Sequence, residues 1–243
     1  MEKGFSFERF LKVFKCDVKF RLISAIMPLV AVTMALHAGF IFAIIAVNDG
    51  CGSFRAMARI VLIELLLLFI CYVIPFICYR RINKMENGAG YIMLPATSME
   101  KFISMVLVCS LFVPLCCLLS AVLIDSLFLL IFMDWYDNWI WLGGSLFDCE
   151  EVIYFILLSG MGLYGNLSFK RGAWYKTAII AFVVLVGWAK IGDWIFTKVI
   201  FSEDELDFIV NKAFKTTNHV LYTLSGILFY FLAYFKAKRM QIE

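Results

Sequence analysis

Six long apolar runs dominate this 243-residue sequence and constrain its fold more than any other feature. A helix needs about 20 mostly apolar residues to cross the hydrocarbon layer of a bilayer, and each run is close to that length or longer. The runs cover residues 22–47, 57–79, 102–124, 152–169, 177–196 and 218–234. The first run is too long for a signal-peptide core, so we interpret it as a retained span. The pattern predicts an all-α, polytopic membrane protein in which residues 22–243 form one domain of about six transmembrane helices.

The composition argues against a water-soluble enzyme. Hydrophobic residues make up 63% of the chain and charged residues only 17%, whereas an average soluble domain has about 45–50% and about 25%. The 25 Phe, 10 Tyr and 6 Trp residues carry more apolar surface than one soluble core can bury, so lipid must solvate much of it. The net charge of +3 is too small to indicate a nucleic-acid partner.

The distribution of basic residues predicts the orientation of the spans. Sixteen of the 22 Lys and Arg residues lie in the N-terminal segment and in alternate segments after it. The segment 134–151 contains no basic residue and is rich in acidic and aromatic side chains, as expected for an outer surface. The positive-inside rule therefore places both termini in the cytoplasm, and we expect a multi-pass protein of the bacterial inner membrane.

Residues 1–21 have the pattern of an amphipathic helix that lies in the membrane interface. Apolar residues recur at helical spacing at Phe7, Phe10, Leu11, Phe14 and Val18. Charged residues occupy the other side at Glu8, Arg9, Lys12, Lys15 and Lys19. We expect the basic side to contact anionic lipid headgroups.

Two local patterns predict how the chain is arranged on the outer side. Asp125 and Ser126 interrupt the third run, so we end that span at 124 and expect the following residues to lie along the interface. Ser202 and Glu205 have the spacing of a capping box, which predicts a short amphipathic helix ending near Phe214.

Proline and glycine mark sites of bending and close packing within the spans. Each of the first three spans contains one proline, at Pro28, Pro75 and Pro114. Proline removes a backbone hydrogen bond and is expected to kink these helices. The fourth span has three glycines, Gly160, Gly162 and Gly165. Small residues allow neighbouring helices to approach closely, so we expect tight packing there.

Charged residues within or at the ends of the apolar runs need a partner or water, and four of them are candidates for a functional group. They are Glu64, Asp125, Lys190 and Asp193. Lys190 and Asp193 are three residues apart, so they can pair on one helix face, with Glu64 as a second partner from another span. The group is interpreted either as a polar gate facing a transport pathway or as a structural ion pair.

The cysteines and histidines give little indication of a metal site. Most of the eight Cys residues lie in apolar runs, where Cys acts as a small hydrophobe. Cys51 and Cys149 are the two expected outside, where an oxidising compartment would allow a disulfide between outer segments. The only two histidines, His37 and His219, are far apart in sequence and lack a zinc-binding motif, so no metal site is predicted.

The cytoplasmic segment 80–101 contains the most informative local motif. Gly88 and Gly90 provide flexibility, and Pro95 follows closely. Thr97 and Glu100 then have the spacing of a capping box, in which each side chain bonds a free backbone amide of the other residue. The sequence therefore predicts that a helix begins immediately after Thr97.

The run Met93-Leu94-Pro95-Ala96-Thr97-Ser98-Met99-Glu100-Lys101-Phe102 resembles a segment of bacterial ABC transporter permeases of the type-2 exporter family. In those permeases a similar LPAS/T run, followed after two residues by Glu-Lys and a hydrophobic residue, lies between the second and third spans. The predicted six spans, cytoplasmic termini and amphipathic first helix are also similar. The long acidic and Trp-rich outer segment after the third span departs from the family pattern.

The resemblance implies a membrane-spanning subunit of an ATP-driven exporter. It implies that the segment 94–101 couples to a separate ATPase, through Leu94, Pro95, Thr97, Glu100 and Lys101. ATP and magnesium would bind to that partner, consistent with the absence of a phosphate-loop motif in this chain. Two permease subunits, as a homodimer or an unlike pair, would assemble with two ATPase subunits among membrane lipids.

Another interpretation is an integral membrane protein without ATP coupling. Such a protein would be the substrate-binding component of another type of transporter, or a scaffold in the cell envelope. An enzymatic activity of the chain itself is not expected, because the sequence has no nucleophile elbow and no His paired with an evident Ser or Cys. The sequence does not identify a transported substrate.

Overall fold

In a computed structural model of the protein, the described part of the chain is helical and contains no strand. The structure describes residues 5–47, 56–79, 95–131, 149–169, 171–199 and 207–240. The helices are α1 Phe7–Arg21, α2 Met27–Val47, α3 Ala56–Cys78, α4 Ser98–Leu107, α5 Val113–Ile131, α6 Cys149–Ser168, α7 Ala173–Val199 and α8 Asp207–Met240. A π turn, Leu22–Ile26, joins α1 to α2, and a second, Val108–Phe112, joins α4 to α5. We refer to these turns as π1 and π2.

Four helical stretches in the described residues are long and apolar enough to cross a membrane. They are Phe7–Ala43, Arg59–Cys78, Ser98–Ile131 and His219–Arg239. Two shorter apolar helices, Val152–Ser168 and Ala173–Trp188, correspond to the predicted fourth and fifth spans. The expectation of an all-helical, membrane-embedded protein is therefore confirmed. The count of six crossings stays a prediction.

Three helices continue where the sequence suggested a break. The first helical stretch runs from α1 through π1 into α2 without interruption. The helical stretch that contains the third predicted span continues past its expected end at 124 to Ile131. The reason is that Asp125 is paired inside the bundle and does not turn the chain toward water. The last helix is continuous from Asp207 to Met240, so the expected separate helix ending near Phe214 is instead the beginning of α8. Ser202 and Glu205 lie outside the described residues.

Two of the three prolines coincide with a change in helix type. The Met27 N–H bonds the Leu22 carbonyl and the Val113 N–H bonds the Val108 carbonyl, each five residues back, as in a π turn. In both cases the next residue is a proline, which has no N–H to donate. Pro75, in contrast, lies within α3 without such a turn.

The three glycines of α6 each face another helix, so the predicted close packing is confirmed. A Cβ atom at Gly160 would lie 3.0 Å from the Gly226 carbonyl oxygen of α8. A Cβ atom at Gly162 would lie 2.8 Å from the Tyr72 carbonyl oxygen of α3. At Gly165 it would overlap the Thr177 side chain of α7. The helix α6 is therefore packed directly against three neighbours.

Contacts between the helices show which ends lie together. Glu100, at the beginning of α4, contacts the beginning of α1, and the Phe102 ring lies 5.4 Å from the Tyr234 ring near the end of α8. The end of α3 reaches the same region through Tyr79, which contacts α1. The beginning of α6 meets α8 on the opposite side, where the Tyr154 and Tyr222 rings are 5.5 Å apart. We call the end that contains Glu100 the α1 end of the bundle.

Candidate functional site

The predicted capping box at the beginning of α4 is confirmed, and it extends to a second helix. The Glu100 N–H donates to Thr97 Oγ1 at 3.3 Å, and the Thr97 N–H donates to Glu100 Oε2 at 2.9 Å. The other carboxylate oxygen, Oε1, accepts from the Ser6 N–H at 2.7 Å and from Arg9 Nη2 at 3.1 Å. One carboxylate therefore caps α4 and holds the N-terminus of α1. We call these four residues the Glu100 clamp.

The residues expected to couple to an ATPase differ in accessibility. Glu100 is 0% exposed and Lys101 is also buried, so both face the chain itself. Thr97 is half-buried, whereas Pro95 is exposed and Met99 has 52% of its surface exposed. Leu94 lies outside the described residues. A partner at this end could therefore touch Pro95 and Met99 directly, while Glu100 would act by holding the segment in place.

A second polar cluster fixes α1 to α3 and α4. Asp17 Oδ1 accepts from Arg21 Nε at 3.2 Å and from Arg21 Nη2 at 3.1 Å. Asp17 Oδ2 accepts from Ser104 Oγ at 2.7 Å and from the Tyr79 hydroxyl at 3.5 Å. The Arg21 guanidinium also lies 3.6 Å from the centroid of the Tyr79 ring. These contacts satisfy a buried acid and a buried base at the interface of three helices.

The face of α1 that is buried against other helices is distinct from the apolar face that the sequence predicts to lie in the membrane interface. Phe10, Val13, Asp17 and Arg21 are the buried residues of this helix. Phe7 and Leu11 are exposed, whereas Phe14 and Val18 are half-buried. The reason is that Asp17 and Arg21 find polar partners on other helices, so this face can be buried despite its charges. The i, i+4 spacing of Asp17 and Arg21 on the Phe10 side was the signal that could have revealed it.

A third cluster joins α2, α3 and α5 through fully buried charges. Arg59 Nη1 donates to Asp125 Oδ2 at 2.7 Å, and His37 Nε2 lies 3.7 Å from Asp125 Oδ1. All three side chains are at most 2% exposed. Within the described part of the chain, both ring nitrogens of His37 and Asp125 Oδ1 have no hydrogen-bond partner. We call Arg59, Asp125 and His37 the buried charge cluster.

The sequence correctly predicted that Asp125 needs a partner but missed that partner. Arg59 lies near the beginning of α3 and looks like an ordinary flanking charge, although it is the only basic residue in the run 57–79. His37 lies near the middle of α2, 10 residues from Met27 and 10 from Val47, or about 15 Å along the axis from either end. Buried ionisable groups at such depth are expensive to maintain and usually mark functional sites in membrane proteins.

The other predicted polar and cysteine sites lie partly outside the described residues. Glu64 is half-buried on α3, and Lys190 is exposed on α7. The side chain of Asp193 lies outside what the structure describes, so the proposed gate or ion pair stays a prediction. The predicted disulfide also stays a prediction, because Cys51 and the side chain of Cys149 lie outside the described parts.

A cluster of hydroxyl groups lies at π2 and was not anticipated from the sequence. The Tyr230 hydroxyl is 2.7 Å from Ser110 Oγ and 2.5 Å from Ser159 Oγ. These contacts connect π2 to α6 and α8. The cluster therefore holds the point where α4 meets α5 against the core of the bundle.

No protein-family model, curated protein or solved structure matches this chain. Its function is therefore inferred from its own residues and their arrangement.

Proposed function

We propose that this chain is the membrane-spanning permease subunit of an ATP-driven exporter, similar to the ABC type-2 family. The observation that carries the proposal is the Glu100 clamp. It fixes the beginning of α4 and the residues just before it, where Met99 and Pro95 are exposed at the end of the bundle. A rigid, exposed segment at this position is what a separate ATPase needs in order to press on the membrane helices. The local resemblance of residues 93–102 to the permease segment supports the same conclusion.

The relative placement of the helix ends supports the proposed orientation. The positive-inside rule predicts that the N-terminus, the beginning of α4 and the C-terminus share the cytoplasmic side. Contacts of Glu100 with α1, and of Phe102 with Tyr234 of α8, bring those ends into one region. In the proposal, the α1 end faces the cytoplasm of a bacterial cell and the buried charge cluster lies toward the outer side of its inner membrane.

The proposed roles of the ATPase and the permease follow from which groups of this chain are exposed and which are buried. The ATPase subunits would bind ATP and magnesium and would contact Pro95 and Met99. The permease would supply the pathway, working as a homodimer or as one of two unlike permeases. Exposed Lys12, Lys15 and Lys19 on α1 would face anionic lipid headgroups. In this proposal ATP hydrolysis belongs to the partner subunits, and no nucleic acid takes part.

Purification from the native membrane in mild detergent tests the proposal. We expect a Walker-motif ATPase to co-purify, identified by mass spectrometry, and the sample to hydrolyse ATP. Met99→Glu should remove that subunit, because it places a charge on the exposed contact surface. Ile131→Glu is the matched control, since it adds the same charge to an exposed residue at the other end of the same helical stretch. A folded chain that is consistently recovered without an ATPase contradicts the proposal.

One observation favours a second candidate, a transport component without ATP coupling. Proton- or ion-driven transporters use buried intramembrane charges, and the buried charge cluster has this character. In that case, Asp125→Asn would abolish transport while Met99→Glu left it unchanged. The exporter proposal requires Met99→Glu to abolish transport.

A further inference from the structure

The two π turns occur at equivalent positions in two different helical stretches. Each is a five-residue turn that ends two residues before a proline, Pro28 or Pro114. In a regular α-helix, residue 28 would donate to the Ser24 carbonyl and residue 114 to the Ser110 carbonyl. A proline cannot donate, and its ring clashes with that carbonyl, so the helix widens locally. Both stretches are therefore weakened at a defined point.

The segments on the α1 side of these turns are joined firmly to each other. The Glu100 clamp connects the beginnings of α1 and α4, and the bond from Ser104 to Asp17 connects their later turns. In π2, the Phe112 ring meets the Phe14 ring of α1 edge-on, with centroids 6.2 Å apart. Two polar contacts along α1 and α4, together with this aromatic contact at π2, therefore couple the movement of α1 to that of α4.

We propose that α1 and α4 form a single lever, hinged at π1 and π2, that moves α2 and α5. Movement of the lever would then displace His37 on α2 and Asp125 on α5. Arg59 lies near the beginning of α3, a helix without a π turn that contacts the lever near its other end, through Tyr79. A displacement of the segment at Pro95 and Met99 therefore changes the geometry of the buried charge cluster. This inference rests on the proposed function only for the source of the force, an ATPase pressing on that segment.

The hydroxyl cluster holds π2 in place, so the segments on its two sides can pivot about it. Tyr230 and Ser159 belong to helices outside the lever and hold Ser110 of π2 by hydrogen bonds. Part of each turn is buried in the same core, at Ala25 and Ile26 of π1 and at Val108 and Cys109 of π2. The turns are therefore fixed in position, while the segments on either side can change their angle.

Hydrogen exchange measured by mass spectrometry, with the full chain in lipid nanodiscs, tests the lever. Arg9→Met removes one charge-assisted bond of the Glu100 clamp. We expect exchange to accelerate about tenfold in α1 and in α4 together, since such a bond contributes roughly that factor. Arg9→Lys should restore part of the protection. Lys12→Met is the matched control, because Lys12 is an exposed cation on the same helix whose ion pair, with Glu8, is also exposed. Acceleration confined to α1 overturns the single-lever proposal.

Proline replacements test the hinges in the same assay. Pro28→Ala and Pro114→Ala supply the missing N–H groups, so exchange in 22–26 and 108–112 should slow by about tenfold. Pro75→Ala, in a helix without a π turn, should change neither segment. The hinge proposal is overturned if exchange in both π turns is unchanged in variants that keep wild-type protection of α3 and α6. Because no ATPase is present, this result is independent of whether the proposed function fails.

Discussion

Arg59 and Asp125 form a buried ion pair between α3 and α5, with Nη1 and Oδ2 2.7 Å apart. Neither side chain has significant exposure, and His37 from a third helix lies beside the carboxylate. Transfer of charges into a low-dielectric interior carries a desolvation penalty that attraction between the partners offsets only when the geometry is good. The pair is therefore a point where removal of one partner should have a large effect.

Asp125→Leu should lower the free energy of unfolding by about 3–5 kcal/mol, because it removes the carboxylate that Arg59 contacts. The double variant Arg59→Met with Asp125→Leu should recover most of the loss, since it removes both buried charges. Thermal unfolding followed by tryptophan fluorescence in detergent measures both. If the double variant is no more stable than the single one, the two residues are not an energetic pair. If it is stable but fails to support transport, the charges serve function and not stability.

Asp17→Ala should destabilise the protein by about 3 kcal/mol, because Arg21, Ser104 and Tyr79 all lose the same buried acceptor. Glu8→Ala is the matched control, since Glu8 is an exposed acid on the same helix. It should leave the unfolding temperature unchanged. Equal effects of the two substitutions would contradict a buried Asp17 at the interface of the three helices.

Gly162→Ala should destabilise the bundle by about 1–3 kcal/mol, because the new Cβ would lie 2.8 Å from the Tyr72 carbonyl oxygen of α3. Gly39→Ala, in α2, is the matched control, since a Cβ there meets nothing within 4 Å. It should be neutral or slightly stabilising. Unfolding measurements of the two variants in the same detergent decide the matter. A neutral Gly162→Ala would rule out the close approach of α6 to α3.

Thr97→Val should destabilise the beginning of α4 by about 1 kcal/mol, because valine has the same shape but cannot accept from the Glu100 N–H. Thr97→Ser keeps the hydroxyl and should remain close to wild type. The rate of amide hydrogen exchange in residues 98–101 measures the stability of this helix end. If Thr97→Ser and Thr97→Val exchange at the same rate, the hydroxyl does not contribute to the cap.

Local features of the chain could be predicted from its sequence because they depend on neighbouring residues. Run length and composition indicate the apolar helices, and the three-residue spacing of Thr97 and Glu100 predicts the capping box. The glycines of α6 predict close packing because small side chains leave room for another helix. Prolines indicate where a helix is weakened, although not that Pro28 and Pro114 give π turns and Pro75 does not.

The polar contacts between helices could not be predicted because they join distant parts of the chain. Arg59 and Asp125 are 66 residues apart, and Ser6 and Glu100 are 94 apart. The spacing pattern of one helix does not reveal which partner will neutralise its buried charge. For the same reason, the sequence did not reveal that Asp17 and Arg21 are buried together with Phe10 and Val13 on one face of α1.

Photo-crosslinking from position 99 in native membranes tests the central claim most directly. A photoreactive phenylalanine analogue would replace Met99, and a second protein with the analogue at Ile131 would serve as the control. The account predicts an adduct between position 99 and a Walker-motif ATPase, identified by mass spectrometry, and none from position 131. Adducts from position 99 that contain only lipid or this chain would contradict the claim that the segment couples to an ATPase.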